Sequence, residues 1–382
     1  MVTSLRDKVA IVGVGATAQG TVPGSTSLSL AVTAFKEALA DAGLEKSDID
    51  GLLTMPGVTS PEGATNYLRL GETLGLDPRY TGSVVMGGGS AGALLHMAAM
   101  AIDAGLATTV ACVMGDAPRT EKFKFAMTGG WGDSWDIWGM ISATANSAMS
   151  ASRHMALYGT TSRQLAEVAV ACRKHASLNP DAVMRKPITI DDHQASRLII
   201  EPFRLLDCCL ISDGGVCIIV TSAERAKDLK QRPVLIRGFG QAYTTRTLEH
   251  PEWWYVPHQK RAIDDAYKMA GVGSSDIDVA QLYDNFTMSV IFWLEHAGFC
   301  KVGEGGSFVE GGRIQIGGEL PVNTAGGNLS ESYMEGWLHL VEGVRQMRET
   351  CGPRQVAGAE VCLVTGRGMT LNNANATILR AA

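Results

Sequence analysis

The chain has 382 residues, 46% of them apolar and 19% charged, with 44 glycines and a formal net charge of −6. That length exceeds one ordinary core and points to two domains or halves. The acidic balance gives no general attraction to nucleic acid or to anionic membranes.

Charged Arg6 and Asp7 precede any apolar run, so no signal peptide is expected. The first predicted strand is "KVAIVGVGAT" at 8–17. Its Gly13-Val14-Gly15 invites a dinucleotide-binding reading, but position 18 is Ala18 where a third glycine is needed, and no helix opens at once. A helix, a turn and a further strand follow, through "AFKEALADAGLEKSDID" at 34–50. The run from Thr81 to Ile102 holds no Asp, Glu, Lys or Arg and is long enough to span a bilayer. Gly87-Gly88-Gly89 breaks it into a strand and a helix, so it reads as buried core. "ATTVACVMG" at 107–115 reads as an apolar strand. The segment from about 117 to 200 contains Trp131, Trp135 and Trp138, then two helix-like stretches. It reads as an insertion over the first half, with the tryptophans lining an apolar pocket or packing the insertion itself. Eight cysteines are scattered with no CxxC pair, which favours reduced core thiols and a cytoplasmic protein over zinc or disulfides.

The plan then repeats. "PVLIRGFGQA" at 233–242 resembles the first strand, and "AIDDAYKMAGVGSSDID" at 262–278 matches 34–50 without gaps at eight positions, from Ala34/Ala262 to Asp50/Asp278. Duplication at this scale implies two similar α/β halves, 1–228 and 229–382. Further on, "QLYDNFTMSV" at 281–290 reads as a strand turning into a helix, with Tyr283 at the turn. Asp207 and Asp213 lie near turns and read as structural. His96, His154 and His339 read as packing or surface histidines.

These stretches, with "MALYGTTSRQLAEVAVACRKHASLNP" at 155–180, "SRLIIEPFRLLDCCLISDGG" at 196–215 and "NTAGG" at 323–327, resemble the thiolase superfamily. The resemblance is to the branch holding sterol-carrier-protein-type thiolases and lipid-transfer-protein-like members. It implies a five-layer αβαβα fold. The family's cysteine nucleophile falls at Gly89, beside Ser90. Its histidine after Asn-x-x-Gly-Gly (Asn323, Gly326, Gly327) falls at Tyr333. The lead residue of its His-Asp-Cys-Phe or Asn-Glu-Ala-Phe motif falls at Tyr283, in Tyr283-Asp284-Asn285-Phe286. Its second cysteine falls at Thr365-Gly366.

Without the cysteines, acyl transfer through a covalent thioester is not expected. Two phenols facing a glycine-rich loop suit a retro-aldol cleavage, which needs a base for an alcohol proton and donors for an enolate but no nucleophile. Lipid-transfer-protein-like relatives that carry tyrosines at these positions are steroid side-chain aldolases acting on β-hydroxyacyl-CoA. The resemblance therefore implies a carbon–carbon lyase with Tyr283 and Tyr333 catalytic, either of them the base, with Tyr333 preferred because it replaces the family's histidine. Gly89, Ser90, Asn285, Asn323 and Gly366 would position the substrate or its oxyanion. No cofactor and no metal are expected in this chain. Expected assemblies are a homodimer, joined through the 107–115 strand, and a heterotetramer with a small OB-fold, zinc-ribbon protein that carries zinc of its own. The alternatives are a thiolase with a relocated nucleophile and a non-catalytic acyl-CoA or sterol-binding protein.

Overall fold

A computed structural model of the chain describes residues 5–125, 142–244, 253–368 and 373–382. Trp131, Trp135 and Trp138 lie outside the described residues. The strands are β1 (Val9–Ala16), β2 (Gly51–Pro56), β3 (Tyr80–Ser83), β4 (Thr109–Asp116), β5 (Leu198–Ile200), β6 (Phe203–Arg204), β7 (Gly214–Ser222), β8 (Val234–Tyr243), β9 (Val279–Gln281), β10 (Val361–Gly368) and β11 (Asn373–Ala381). Nine of them form one mixed sheet in the order β3-β2-β4-β7-β1-β8-β11-β10-β9. The halves meet where β1 pairs antiparallel with β8 at only two positions, Ala10 with Leu235 and Ile11 with Val234. Each side of that junction carries the same strand order, because Val322 bridges to Ala280 of β9 just as β3 pairs with β2.

The repeated residues explain the repeated geometry. The helices Ser27–Ala42 and His258–Ala270 both end at a left-handed glycine, Gly43 and Gly271. Each lies directly on its strand. A Cβ added at Gly13 or Gly15 would meet the Ala38 or Ala34 carbonyl, and one at Gly238 or Gly240 would meet that of Ala266 or Ala262. The Gly-x-Gly of β1 therefore serves close helix–strand packing. Asp50 accepts the amides of Thr108 and Thr109, which open β4, and Asp278 accepts those of Glu360 and Val361, which open β10.

Strand alternation sets the layers. Ala10 and Val12 of β1 pack against the Ser27–Ala42 helix, while Val9 and Ile11 face two central helices, Ser90–Asp103 and Trp337–Met347. Cys362 and Val364 of β10 reach the same central layer from the second half, and Leu363 points to the outer core with the His258–Ala270 helix. Helix, sheet, helices, sheet and helix give the α/β, αβαβα arrangement.

Two expectations are corrected. The 107–115 run forms β4, hydrogen-bonded to β2 on one side and β7 on the other. It is interior, and the edge strand is the short β3. The insertion leaves the first half between β4 and β7, but its helices Ala143–Tyr158 and Ser162–Ser177 place Ala148, Leu165, Val168 and Ala171 in the core of the second half. The uncharged run at 81–102 is β3, a turn and the buried Ser90–Asp103 helix, and no helix among the described residues is long and apolar enough to cross a membrane.

Candidate active site

Tyr283 follows β9 and is held by its backbone. Its N–H donates to Thr365 Oγ1 at 3.0 Å. The preceding Leu282 N–H donates to Asn323 Oδ1 at 2.7 Å, and Asn323 Nδ2 returns a bond to the Leu282 carbonyl at 2.9 Å. Asn323 thus has both ends of its amide occupied in fixing the Tyr283 turn. Asp284, fully buried, accepts from Asn328 N at 2.8 Å and from His339 Nε2 at 2.9 Å. It ties the Tyr283 turn to the Gly327–Ser330 helix and to the central helix beyond Tyr333. All three of His96, His154 and His339 are buried: His96 contacts Thr377, His154 pairs with Glu295, and none is a surface residue. Asp207 pairs with His193 and accepts from Thr287, and Asp213 accepts the Val22 and Arg119 amides, so both hold loops.

The two tyrosines meet. Their hydroxyl oxygens lie 3.1 Å apart. Tyr283 is buried at 2% exposure, whereas Tyr333 is half-buried. The Tyr283 ring lies against the glycine-rich loop: a Cβ on Gly88 would sit 2.2 Å from its hydroxyl oxygen. A Cβ on Gly366 would come 2.7 Å from the Gly88 carbonyl. Gly88 and Gly366 are glycines because backbone and phenol share that space. Asn375 Nδ2 donates to the Gly89 carbonyl at 2.7 Å and Asn373 Nδ2 to the Met86 carbonyl at 3.2 Å, anchoring the loop from β11.

Gly89 and Ser90 sit where the helix begins, but their own amides are engaged within the turn. Gly89 N–H donates to the Met86 carbonyl, Ser90 N–H to the Gly87 carbonyl, and Ser90 Oγ accepts from Met86 N. Ser90 is a buried loop clamp. Asn285 uses Oδ1 to accept from Ser289 and from Arg367 Nη2.

A phenol–phenolate pair near the ordinary value of about 10 does not form here. Burial, followed by the negative charge of Glu335, pushes both phenols well above that value. Glu335, half-buried, places Oε2 3.5 Å from the Tyr283 hydroxyl, and burial raises its carboxyl to about 7. Arg367, 2% exposed, donates to Asn285 and Ser289, has no carboxylate partner among the described residues and leaves Nη1 unbonded. Burial lowers it to about 10, so it remains a cation facing Tyr283 at neutral pH.

Cys172 Sγ donates to Asp284 Oδ2 at 3.8 Å, and Cys209 lies among these groups too; its N–H donates to the Asn285 carbonyl. Burial, with the charges of Asp284 and Glu335, raises its thiol well above the ordinary range. Burial does the same to the other seven thiols. No group of three His, Cys, Asp or Glu side chains among the described residues converges as a metal site.

Glu335, Arg367, Asn373 and Asn375 were not singled out from sequence. The signal for Glu335 and Arg367 was present in principle, since each adjoins a position of interest, but charge next to a motif is common on surfaces. Only the fold shows that both are drawn inward.

The thiolase C-terminal domain-like family model matches residues 240–381. Over 94% of the chain and 96% of the relative, it is 41% identical to the 17-hydroxy-3-oxo-4-pregnene-20-carboxyl-CoA lyase of Mycobacterium tuberculosis. It is 37% identical, over 94% of the chain and 95% of the relative, to the steroid side-chain-cleaving aldolase of Thermomonospora curvata. The solved Ltp2-ChsH2(DUF35) aldolase superposes with a TM-score of 0.90 at 36% identity, covering 99% of both chains. With its duplicated halves and its similarity to both of these lyases over more than nine-tenths of its length, the chain belongs to the thiolase superfamily, in the branch of the steroid side-chain-cleaving aldolases.

Proposed function

We propose that this chain is a carbon–carbon lyase that cleaves a β-hydroxyacyl-CoA bearing a steroid or bile-acid side chain. The products are a ketone or aldehyde and a short acyl-CoA. The observation that carries the reading is the 3.1 Å contact between Tyr283 and Tyr333, on a thiolase scaffold whose thiols burial keeps protonated. Proton removal from the β-hydroxyl lets the Cα–Cβ electron pair move into the thioester as an enolate, and the enolate carbon then takes a proton. Tyr333, the more exposed phenol, meets the substrate hydroxyl, and Tyr283 supports it from below. Arg367 supplies a positive charge that acts on Tyr283. No cofactor is required by this chemistry. The test is incubation with β-hydroxyacyl-CoA steroids and detection of the released short acyl-CoA. Absence of cleavage, with thiolysis of a 3-ketoacyl-CoA instead, would sink the reading.

The presence of Cys209 beside the phenols favours a second reading, a thiolase with a relocated nucleophile. A nucleophilic cysteine needs a depressed pKa, and this one is raised by burial and neighbouring acids. Cys209→Ala is therefore expected to keep kcat within a few-fold. Abolished turnover in a folded Cys209→Ala protein would establish the thiolase reading.

For assembly, the reading is a cytoplasmic homodimer that joins a small OB-fold, zinc-ribbon partner as a heterotetramer. Its support is the partner named in the Ltp2-ChsH2(DUF35) aldolase. The four-residue β3, at the end of the sheet, is the edge available for pairing with a second copy. Sedimentation of the purified chain is expected to give a dimer at micromolar concentration. A stable monomer with full cleavage activity and no partner would contradict both assemblies.

A further inference from the structure

The two phenols leave a proton unaccounted for. Each is pushed well above its ordinary value, so neither rests as a phenolate at neutral pH. A phenol can take the substrate's alcohol proton only if it gives up its own at the same time. The acceptor must touch the pair, must be ionised near neutrality, and must not be a group committed to holding the fold. Asp284 fails this test, since its oxygens hold Asn328, Leu329 and His339. Asp116 fails too, with its carboxylate bound to Val58, Thr59 and Ala117. Arg367 is a donor only.

Resting on the lyase reading, we propose that Glu335 is the terminal proton acceptor of the tyrosine pair. The substrate hydroxyl proton passes to the Tyr333 oxygen as the Tyr333 proton moves to the Tyr283 oxygen and the Tyr283 proton moves to the Glu335 carboxylate. The Cα–Cβ bond breaks with its electrons entering the thioester enolate. The proton then returns from Glu335 through the phenols to the enolate carbon, so no proton is gained or lost overall. The placement supports this. Glu335 sits two residues after Tyr333 in a left-handed conformation, φ 49°, which non-glycine residues adopt sparingly. Gly336 then continues left-handed into the central helix, leaving the side chain turned to the phenols rather than along the helix. The 3.5 Å separation from Tyr283 is a long contact of the kind that tightens when substrate binds.

The charged and titratable groups facing Glu335 are Tyr333 on its own loop, Tyr283 from the turn after β9, Asp116 from the end of β4, and Cys209 from the segment before β7. Arg367 acts from beyond Tyr283. Burial and Asp116 raise the Glu335 carboxyl to about 7. A base works when deprotonated, so turnover is present above that pH and lost as pH falls through it.

The experiment compares wild type, Glu335→Gln and Glu335→Asp, each purified with its assembly partner if one co-purifies. For Glu335→Gln the expected result is a fall in kcat of at least about a hundredfold, with KM changed only a few-fold and the acid limb near pH 7 gone. Glu335→Asp is expected to recover part of kcat and keep a shifted acid limb. A second readout needs no substrate. Ultraviolet difference titration, with Tyr333→Phe and Tyr283→Phe as references, should show the pair ionising at lower pH in Glu335→Gln, because the opposing carboxylate is gone. A Glu335→Gln protein with normal kcat, an intact acid limb and unshifted phenols overturns the inference and leaves the lyase reading standing. A wild-type protein that cleaves no β-hydroxyacyl-CoA removes both.

Discussion

Tyr333→Phe is expected to lower kcat by at least about a hundredfold while the protein stays folded, and Tyr283→Phe to do the same. General acid–base catalysis contributes roughly 10²–10⁴-fold, so loss of one hydroxyl from a proton-transfer pair should cost at least the lower figure. Phenylalanine keeps the ring, which for Tyr283 packs on Gly88 and Gly336, and removes only the oxygen. Were the hydroxyls merely structural, each would cost about 1 kcal/mol of stability for a lost hydrogen bond, with turnover nearly intact. The two outcomes separate cleanly, because one appears in kcat and the other in a denaturation midpoint. Tyr333, half-buried, should affect substrate turnover at least as strongly as the deeper Tyr283. A folded Tyr333→Phe protein with near-normal cleavage removes the mechanism.

The duplication was legible because it is written in residue types with a mechanical reason. Alanines at 34, 38 and 42 and at 262, 266 and 270 are the face a helix needs to lie on glycine-containing strands, and Asp50 and Asp278 each start a strand by capping its amides. The tyrosines were legible through motif positions. What escaped is what depends on distant segments meeting. Glu335 looks like an ordinary acid in "ESYMEG" until β9 brings Tyr283 to it across 52 residues. Arg367 looks like a strand-end charge until burial removes its water. Asn373 and Asn375 hold a loop 286 or 287 positions away. The 107–115 run could not be placed as interior from its own apolarity, because an edge strand and a central strand share the same pattern. Which half the insertion covers depends equally on its docking face. Leu165, Val168 and Cys172 recur at helical spacing, and that spacing fixes a buried face without naming its partner.

Asp284→Ala should cause the largest loss of stability at this site, at least about 3 kcal/mol, because each buried donor left without a partner costs about 1–3 kcal/mol. The side chain is inaccessible to solvent and its two oxygens serve four donors, the Asn328 and Leu329 amides, His339 Nε2 and Cys172 Sγ. Its loss leaves His339 Nε2 and the Asn328 and Leu329 amides without partners in a site that water does not reach, and each such group carries its own desolvation cost. Gly327 has no side chain because a Cβ there would lie 2.2 Å from Asp284 Oδ2, so no neighbouring side chain fills the space that alanine opens. The exposed pair Lys260–Asp264, with side chains 62% and 54% accessible, is the control. Breaking it by Asp264→Ala should cost under about 1 kcal/mol. Asp284→Ala should also lower kcat, since both tyrosine segments lose the anchor they share. Chemical denaturation reads the stability difference directly. An Asp284→Ala midpoint indistinguishable from that of Asp264→Ala would mean that Asp284 is not what fixes the two phenols in register.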